Sequence, residues 1–236
     1  MQNLTLLALD TSTEACSVAL LYRGEKTHIN ELAQRTHTKR ILPMIDEILA
    51  NSGLGLNQVD ALAFGRGPGS FTGVRVGAGI AQGLAFGADL PVIPISNLTA
   101  MAQAAFELHQ AENVVAAIDA RMNEVYFSQL VREKVRSDFA EFFQWREIIS
   151  EQVCSPELAI KQLQNDNAFR VGTGWAAYSQ FTEKNLTGSD IELPNALYML
   201  ELSRVEFLQK RTISALEIKP IYLRNEVTWK KLPGRE

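Results

Sequence analysis

The chain has 236 residues but only two cysteines, Cys16 and Cys154, and three histidines, His28, His37 and His109. Thiols so far apart give neither a disulfide framework nor a paired metal-binding spacing. Cys16 lies in an apolar strand pattern and reads as a buried thiol, while Cys154 takes no assignment. No GxSxG elbow is present, and no Cys/His arrangement points to a thiol nucleophile. Basic charge is scarce too. A formal net charge of −4 and a pI near 5.5 argue against a stand-alone nucleic-acid binder, so any work on nucleic acid needs a partner to supply positive charge. The opening MQNLTLLALD lacks the basic start and long apolar core of a signal peptide, which makes the cytoplasm the expected location. With 46% hydrophobic and 21% charged residues the composition is globular, and the length allows one large or two small domains. No stretch has the composition of a linker.

Glycine, by contrast, is concentrated. Eight of the 15 glycines fall between Phe64 and Gly87, in FGRGPGSFTGVRVGAGIAQGLAFG. The apolar run from Ala61, a Gly/Pro turn, and then Val74, Val76, Ile80, Leu84 and Phe86 predict strand, tight turn and helix, with Ser70 or Thr72 as N-cap. Each glycine inside a helix costs about 1 kcal/mol relative to alanine, so repeating it calls for a packing reason. Gly69, Gly73 and Gly77 step by four, as do Gly79, Gly83 and Gly87, leaving one broad side of the helix without side chains. In lipid such spacing suggests a helix pair, but Arg66, Arg75 and Gln82 argue against a membrane span. Two explanations stay open: close packing within the chain, or a subunit boundary. The GRGPG turn lacks the lysine that GxxxxGK[ST] demands, so it is not a P-loop.

The chain also echoes itself. LALDTSTEACSVALLYRGE, from Leu7, and VAAIDARMNEVYFSQLVREK, from Val115, each place an aspartate, Asp10 or Asp119, at the end of an apolar strand before a polar turn and a second β-rich run. In the first half, Glu25 to Glu31 reads as a third strand, and Ile41, Leu42, Ile45, Ile48 and Leu49 give a helix ending near Gly53, kinked or started late by Pro43. The Ala61 strand, the glycine helix, a strand over Leu90 to Ile95 and a helix from about Asn97 to His109 follow, a mixed sheet covered by helices. In the second half, Phe139 to Ile149 is aromatic-rich. Pro156 to Gln164 and Asn195 to Lys210 read as helices, Phe169 to Val171 as a short strand, and Ile218 to Arg224 as a β-like tail.

The runs LALDTSTEACSVAL, LPMIDEILANSGL, the glycine block, VAAIDARMNEVYF and PIYLRNEV together resemble the TsaB (YeaZ) family from end to end. The resemblance implies an α/β, actin-like ATPase-domain (ASKHA) fold with two related lobes, each a mixed β-sheet covered by helices. The lobes expected are 1–98, carrying the glycine helix, and a smaller 99–236, whose tail 216–236 packs back on the first. It implies a non-catalytic subunit required for threonylcarbamoyl transfer to the adenosine beside the anticodon of tRNAs. Such a subunit dimerises with the catalytic TsaD subunit, helps recruit the TsaE ATPase, meets tRNA through the complex, and forms a homodimer when alone. The contact implied runs over Ile41, Ile45 and Ile48 of one helix and Gly69, Gly73, Val76, Gly77 and Ile80 of the glycine helix.

The same resemblance marks Asp10, Thr11, Ser12, Asp119 and Arg121 as the positions where actin-like enzymes hold nucleotide phosphate and its metal. Turn hydroxyls and backbone N–H groups can take phosphate oxygens, and a carboxylate can hold magnesium through water. Asp10 and Asp119 can equally do no more than cap their turns. Thr13 stands where active phosphotransferases of the fold have more glycine, and the Gly172-Thr173-Gly174 turn is a short adenosine-site signal. The HxxxH metal pair of TsaD has no counterpart among the three histidines. The expectation is therefore no catalytic residue, no metal and no cofactor of the chain's own, with ATP and magnesium entering at the level of the complex. Two alternatives stand beside it: an actin-like ATPase or phosphotransferase using Asp10 and Asp119, and a protease of the metallopeptidase superfamily, against which the missing metal pair counts.

Overall fold

The computed structural model describes residues 4–33, 36–136, 141–164, 167–186 and 188–224. The first strands, β1 (Leu6–Asp10), β2 (Ala15–Tyr22) and β3 (Glu25–Leu32), form an antiparallel meander in which Leu6 faces Leu21 and Asp10 faces Ser17. Arg23 and Gly24, with φ of 52° and 81°, make the two-residue turn whose left-handed backbone matches the twist of its strands. The chain continues through α1 (His37–Asn51), β4 (Ala61–Gly65), α2 (Phe71–Ala88) and β5 (Val92–Ile95). Strand β4 lies parallel to β1 and β5 parallel to β4, giving the order β3-β2-β1-β4-β5.

After α3 (Asn97–His109) the plan repeats. The meander β6 (Asn113–Arg121), β7 (Glu124–Arg136) and β8 (Glu141–Cys154) is followed by α4 (Pro156–Gln162) and β9 (Phe169–Val171), parallel to β6, in the order β8-β7-β6-β9. The second sheet thus reproduces the first without its last strand. Short helices α5 (Gly174–Ala177) and α6 (Ser179–Thr182) and the longer α7 (Ala196–Leu208) complete the described elements.

Strand β1 is apolar along its length because both of its faces are covered. Leu7 and Leu9 pack with Ile41, Ile45 and Ile48 of α1 and Ala78, Ala81 and Ala85 of α2; Leu6 and Ala8 pack with Met199 and Leu200 of α7. The far face of the first sheet is therefore covered by a helix from late in the chain. Strand β3, at the edge, is exposed and charged, which discourages pairing with another chain. Helix α3 lies between α7 and the second sheet, where Leu98 and Met101 meet Val114, Ala116 and Ile118. The opposite face of that sheet packs Phe127 against Trp175 and Phe181, whose rings lie 4.7 Å apart.

Two points left open by the sequence are filled in, and one expectation changes. Helix α1 begins at His37, so Pro43 lies within it rather than at a delayed start. The aromatic-rich stretch is strand from Glu141, its first residues lying outside the described ones. The β-like tail forms no strand: after Ile218, buried in the first core, residues 219–224 run as an irregular strap. Among the described residues no helix is long and apolar enough to cross a membrane.

Candidate functional site

Asp10 ends β1 wholly buried, together with Thr11 and Ser12 in the turn that follows. Its Oδ1 accepts a hydrogen bond of 2.8 Å from Nδ2 of Asn97, the first residue of α3. Its Oδ2 accepts from the Ser12 backbone N–H at 3.2 Å and the Ser12 hydroxyl at 3.0 Å. Asn97 closes the group by accepting from the Gly67 N–H at 2.8 Å and approaching the Ser12 hydroxyl with Nδ2. Burial pushes the Asp10 carboxyl up to about 6, against the pull of the Asn97 and Ser12 hydrogen bonds. Both oxygens point into the protein and both are taken.

Glycines at the end of β4, in the turn that follows and in α2 explain how this turn is walled in. A Cβ at Gly65 would lie 2.0 Å from Asp10 Oδ1, at Gly69 2.4 Å from the Ser12 carbonyl oxygen, and at Gly73 2.1 Å from that of Thr11. At Gly77 it would meet Thr11 Oγ1 at 2.9 Å. Thr11 in turn donates its hydroxyl to the Gly73 carbonyl at 2.7 Å, and the Ser70 N–H donates to the Ser12 carbonyl at 2.7 Å. The start of α2, capped by the Ser70 hydroxyl, is keyed directly into the β1–β2 turn. Thr11 and Ser12 are buried under these contacts with their hydroxyls donated to the Gly73 carbonyl and to Asp10, and Asp10 is buried with them.

Asp119, at the corresponding place in the second sheet, is likewise held by its own turn. Its Oδ1 accepts from the Arg121 N–H at 2.8 Å and from the Tyr178 hydroxyl at 2.6 Å, and its Oδ2 pairs with Arg121 Nη1 at 2.9 Å. Its own N–H donates to Thr173 Oγ1 at 3.1 Å. The Tyr178 hydroxyl is driven up to about 12 by burial and by the Asp119 carboxylate beside it. Arg121, Met122 and Asn123 all take left-handed backbone conformations in the turn. Among the described residues no hydrogen bond or ion pair joins the Asp10 and Asp119 groups, and no cluster of three or more His, Cys, Asp or Glu could hold a metal ion.

The residues expected at a partner surface divide in two. Ile41, Ile45 and Ile48 are at most 3% exposed and belong to the first core, and Gly73 and Gly77 are buried against the β1–β2 turn. Gly69 also faces that turn, so the small size of this stripe is required inside the chain. Val76 and Ile80 are half-exposed, and beside them Gly79, Gly83 and Gly87 meet nothing within 4 Å. Phe71 and Phe86, at 58% and 72% exposure, flank this outward face of α2, and Leu42 of α1 is also exposed. The open surface is the second glycine stripe, not the first.

The family model described as TsaD, tRNA N6-adenosine threonylcarbamoyltransferase, matches residues 28–222. A tRNA threonylcarbamoyladenosine biosynthesis protein TsaB from Haemophilus influenzae is 96% identical over all of both chains, and its namesake from Escherichia coli is 46% identical over 98% of this chain and 99% of its own. The chain belongs to the TsaB family. The solved structure of YeaZ from Pseudomonas aeruginosa shares 40% identity, covers 93% of this chain and 100% of its own, and superposes with a TM-score of 0.79. The fold of this TsaB-family chain is accordingly the actin-like one, with two related lobes. Asn97 and Tyr178, which help complete the two aspartate groups, had no sequence signal as partners of the aspartates, while Thr173, singled out in its glycine turn, accepts the Asp119 N–H.

Proposed function

We propose that the chain is a non-catalytic subunit required for threonylcarbamoyl transfer to tRNA. It works by docking on a TsaD-like catalytic subunit and helping to recruit a TsaE-like ATPase. Its place in tRNA threonylcarbamoyladenosine biosynthesis follows from membership of the TsaB family; the division of labour is our inference. The observation that carries it is a contrast within one fold. Both aspartates of the actin-like plan accept hydrogen bonds from within the chain, Asp10 from Ser12 and Asn97 and Asp119 from Arg121 and Tyr178, while α2 turns outward a stripe of Val76, Gly79, Ile80 and Gly83 beside the exposed Phe86. A backbone without side chains lets another helix approach closely, and flanking aromatics supply apolar area. The same face serves a second copy of the chain when the catalytic subunit is absent. ATP and magnesium act on the assembled complex, tRNA is met through it, and the work is cytoplasmic.

Gly83→Leu tests the docking face. Gly83 meets nothing within 4 Å, and replacing an exposed helix glycine by leucine favours the helix by up to about 1 kcal/mol, so the fold is retained. We predict that the variant loses co-elution with the purified TsaD-like subunit in size-exclusion chromatography while keeping its melting temperature. Unchanged co-elution would place the contact elsewhere.

A further inference from the structure

The strap over residues 219–224 is tied to both lobes by separate contacts. On the first lobe, the Ile221 N–H donates to the Arg66 carbonyl at 3.0 Å, just beyond β4. Gly67, with φ of +103°, allows this approach, since a Cβ there would lie 3.1 Å from the Ile221 carbonyl oxygen. Tyr222 accepts a 2.6 Å hydrogen bond from Arg75 Nε, and the Arg75 guanidinium lies 3.6 Å from the Phe71 ring centre and 5.4 Å from that of Tyr222. On the second lobe, Arg224 Nη2 donates to the Ala120 carbonyl at 3.1 Å and pairs with Glu124, so it grips both sides of the β6–β7 turn. Beneath the strap lies a cavity of about 300 Å³, walled by Val74 of α2 and Tyr126 of β7.

Elsewhere the lobes are joined by α3 and α7 and by Glu151 of β8, which pairs with Arg66 at 3.0 Å and approaches the Ser96 hydroxyl. These joints lie along α3, α7 and β8, whereas the strap spans from the start of α2 to the β6–β7 turn. We propose that Ile221–Arg224 is a latch that fixes the separation of the two lobes. Its contacts are a few hydrogen bonds, one ion pair and one aromatic–cation stack, each individually modest, so the closed state is held reversibly. Opening it uncovers the Val74–Tyr126 cavity and widens the gap between α2 and the β6–β7 turn.

The test is a distance measurement on the full chain. Spin labels placed at Asn51→Cys in α1 and Lys161→Cys in α4, in a Cys16→Ala/Cys154→Ala background, report lobe separation by pulsed electron resonance. The latch account predicts a longer mean distance and a broader distribution for Arg224→Ala, which frees the second-lobe anchor, and for Tyr222→Ala, which frees the first. Arg136→Ala, which removes an exposed ion pair with Glu141 in the second lobe, should leave the distribution unchanged. Circular dichroism checks folding, and Arg224→Gln, which keeps the side-chain stem but not the charge, stands in should the alanine variant unfold. Distributions that superpose on the parent's in folded variants would overturn the latch and leave the strap as passive packing.

Discussion

Asp10 is a carboxyl on which burial and hydrogen bonding pull in opposite directions. A carboxylate with donors on both oxygens is ordinarily held ionised, yet complete burial here outweighs them and raises the carboxyl from 3.8 to about 6. The sign of the resulting linkage is fixed. With the folded value above the unfolded one, the group's favourable contribution is full below about pH 4 and is lost as pH rises through about 6. Asp10→Ala should therefore destabilise the protein, by about 1–3 kcal/mol from the donors it leaves on Asn97 and Ser12, and the loss should be larger at pH 4.5 than at pH 7.5. Urea titrations of parent and variant at the two pH values measure it; a loss that grows with pH would show a carboxylate stabilised as an ion. The sequence signals an aspartate in a turn at both Asp10 and Asp119. What each aspartate holds was not legible there, because Asn97 and Tyr178 reach them from 87 and 59 positions away.

Helix α2 carries two glycine stripes with opposite surroundings. Their four-residue period was plain in the sequence, but the expected common side divides in the structure into an inward and an outward stripe. Which stripe faces inward was not plain, because that depends on where the β1–β2 turn docks. The two can be separated by the smallest side chain. Gly73→Ala puts a methyl group 2.1 Å from the Thr11 carbonyl oxygen, in a place where backbone meets backbone, and should destabilise by about 1–3 kcal/mol or more despite better helix propensity. Gly83→Ala faces open space and should stabilise by up to about 1 kcal/mol. Chemical denaturation of the pair decides the matter, and equal effects would mean that the inner stripe is not keyed into the turn. Other elements followed their patterns closely where local physics decides: the Arg23-Gly24 hairpin, the Ser70 cap and the apolar β1 strand all stand where their residues place them. The tail did not: Ile218 is buried in the first core, while Ile221 and Tyr222 remain exposed and are tied down by hydrogen bonds to the Arg66 carbonyl and from Arg75.

At the scale of the whole molecule, the echo between the Asp10 and Asp119 hairpins corresponds to two sheets of matching strand order, β3-β2-β1-β4 and β8-β7-β6-β9. Such duplication builds facing turns that in an active enzyme of this plan would share a nucleotide. In this chain Asn97 and Tyr178 reach in to the two aspartates, and the start of α2 packs directly on the turn after Asp10. The molecule keeps the actin-like frame, and its outward α2 face is the docking surface we propose. The central claim, a subunit that is required but does not itself react, is tested most directly by reconstitution. tRNA threonylcarbamoylation is measured with purified TsaD-like, TsaE-like and adenylate-forming components, with this chain present, omitted, or replaced by Asp10→Ala at a temperature where the variant is folded. We predict that modification requires the chain and that Asp10→Ala supports it at close to the parent rate. Modification that proceeds without the chain, or that fails with folded Asp10→Ala, would contradict the account.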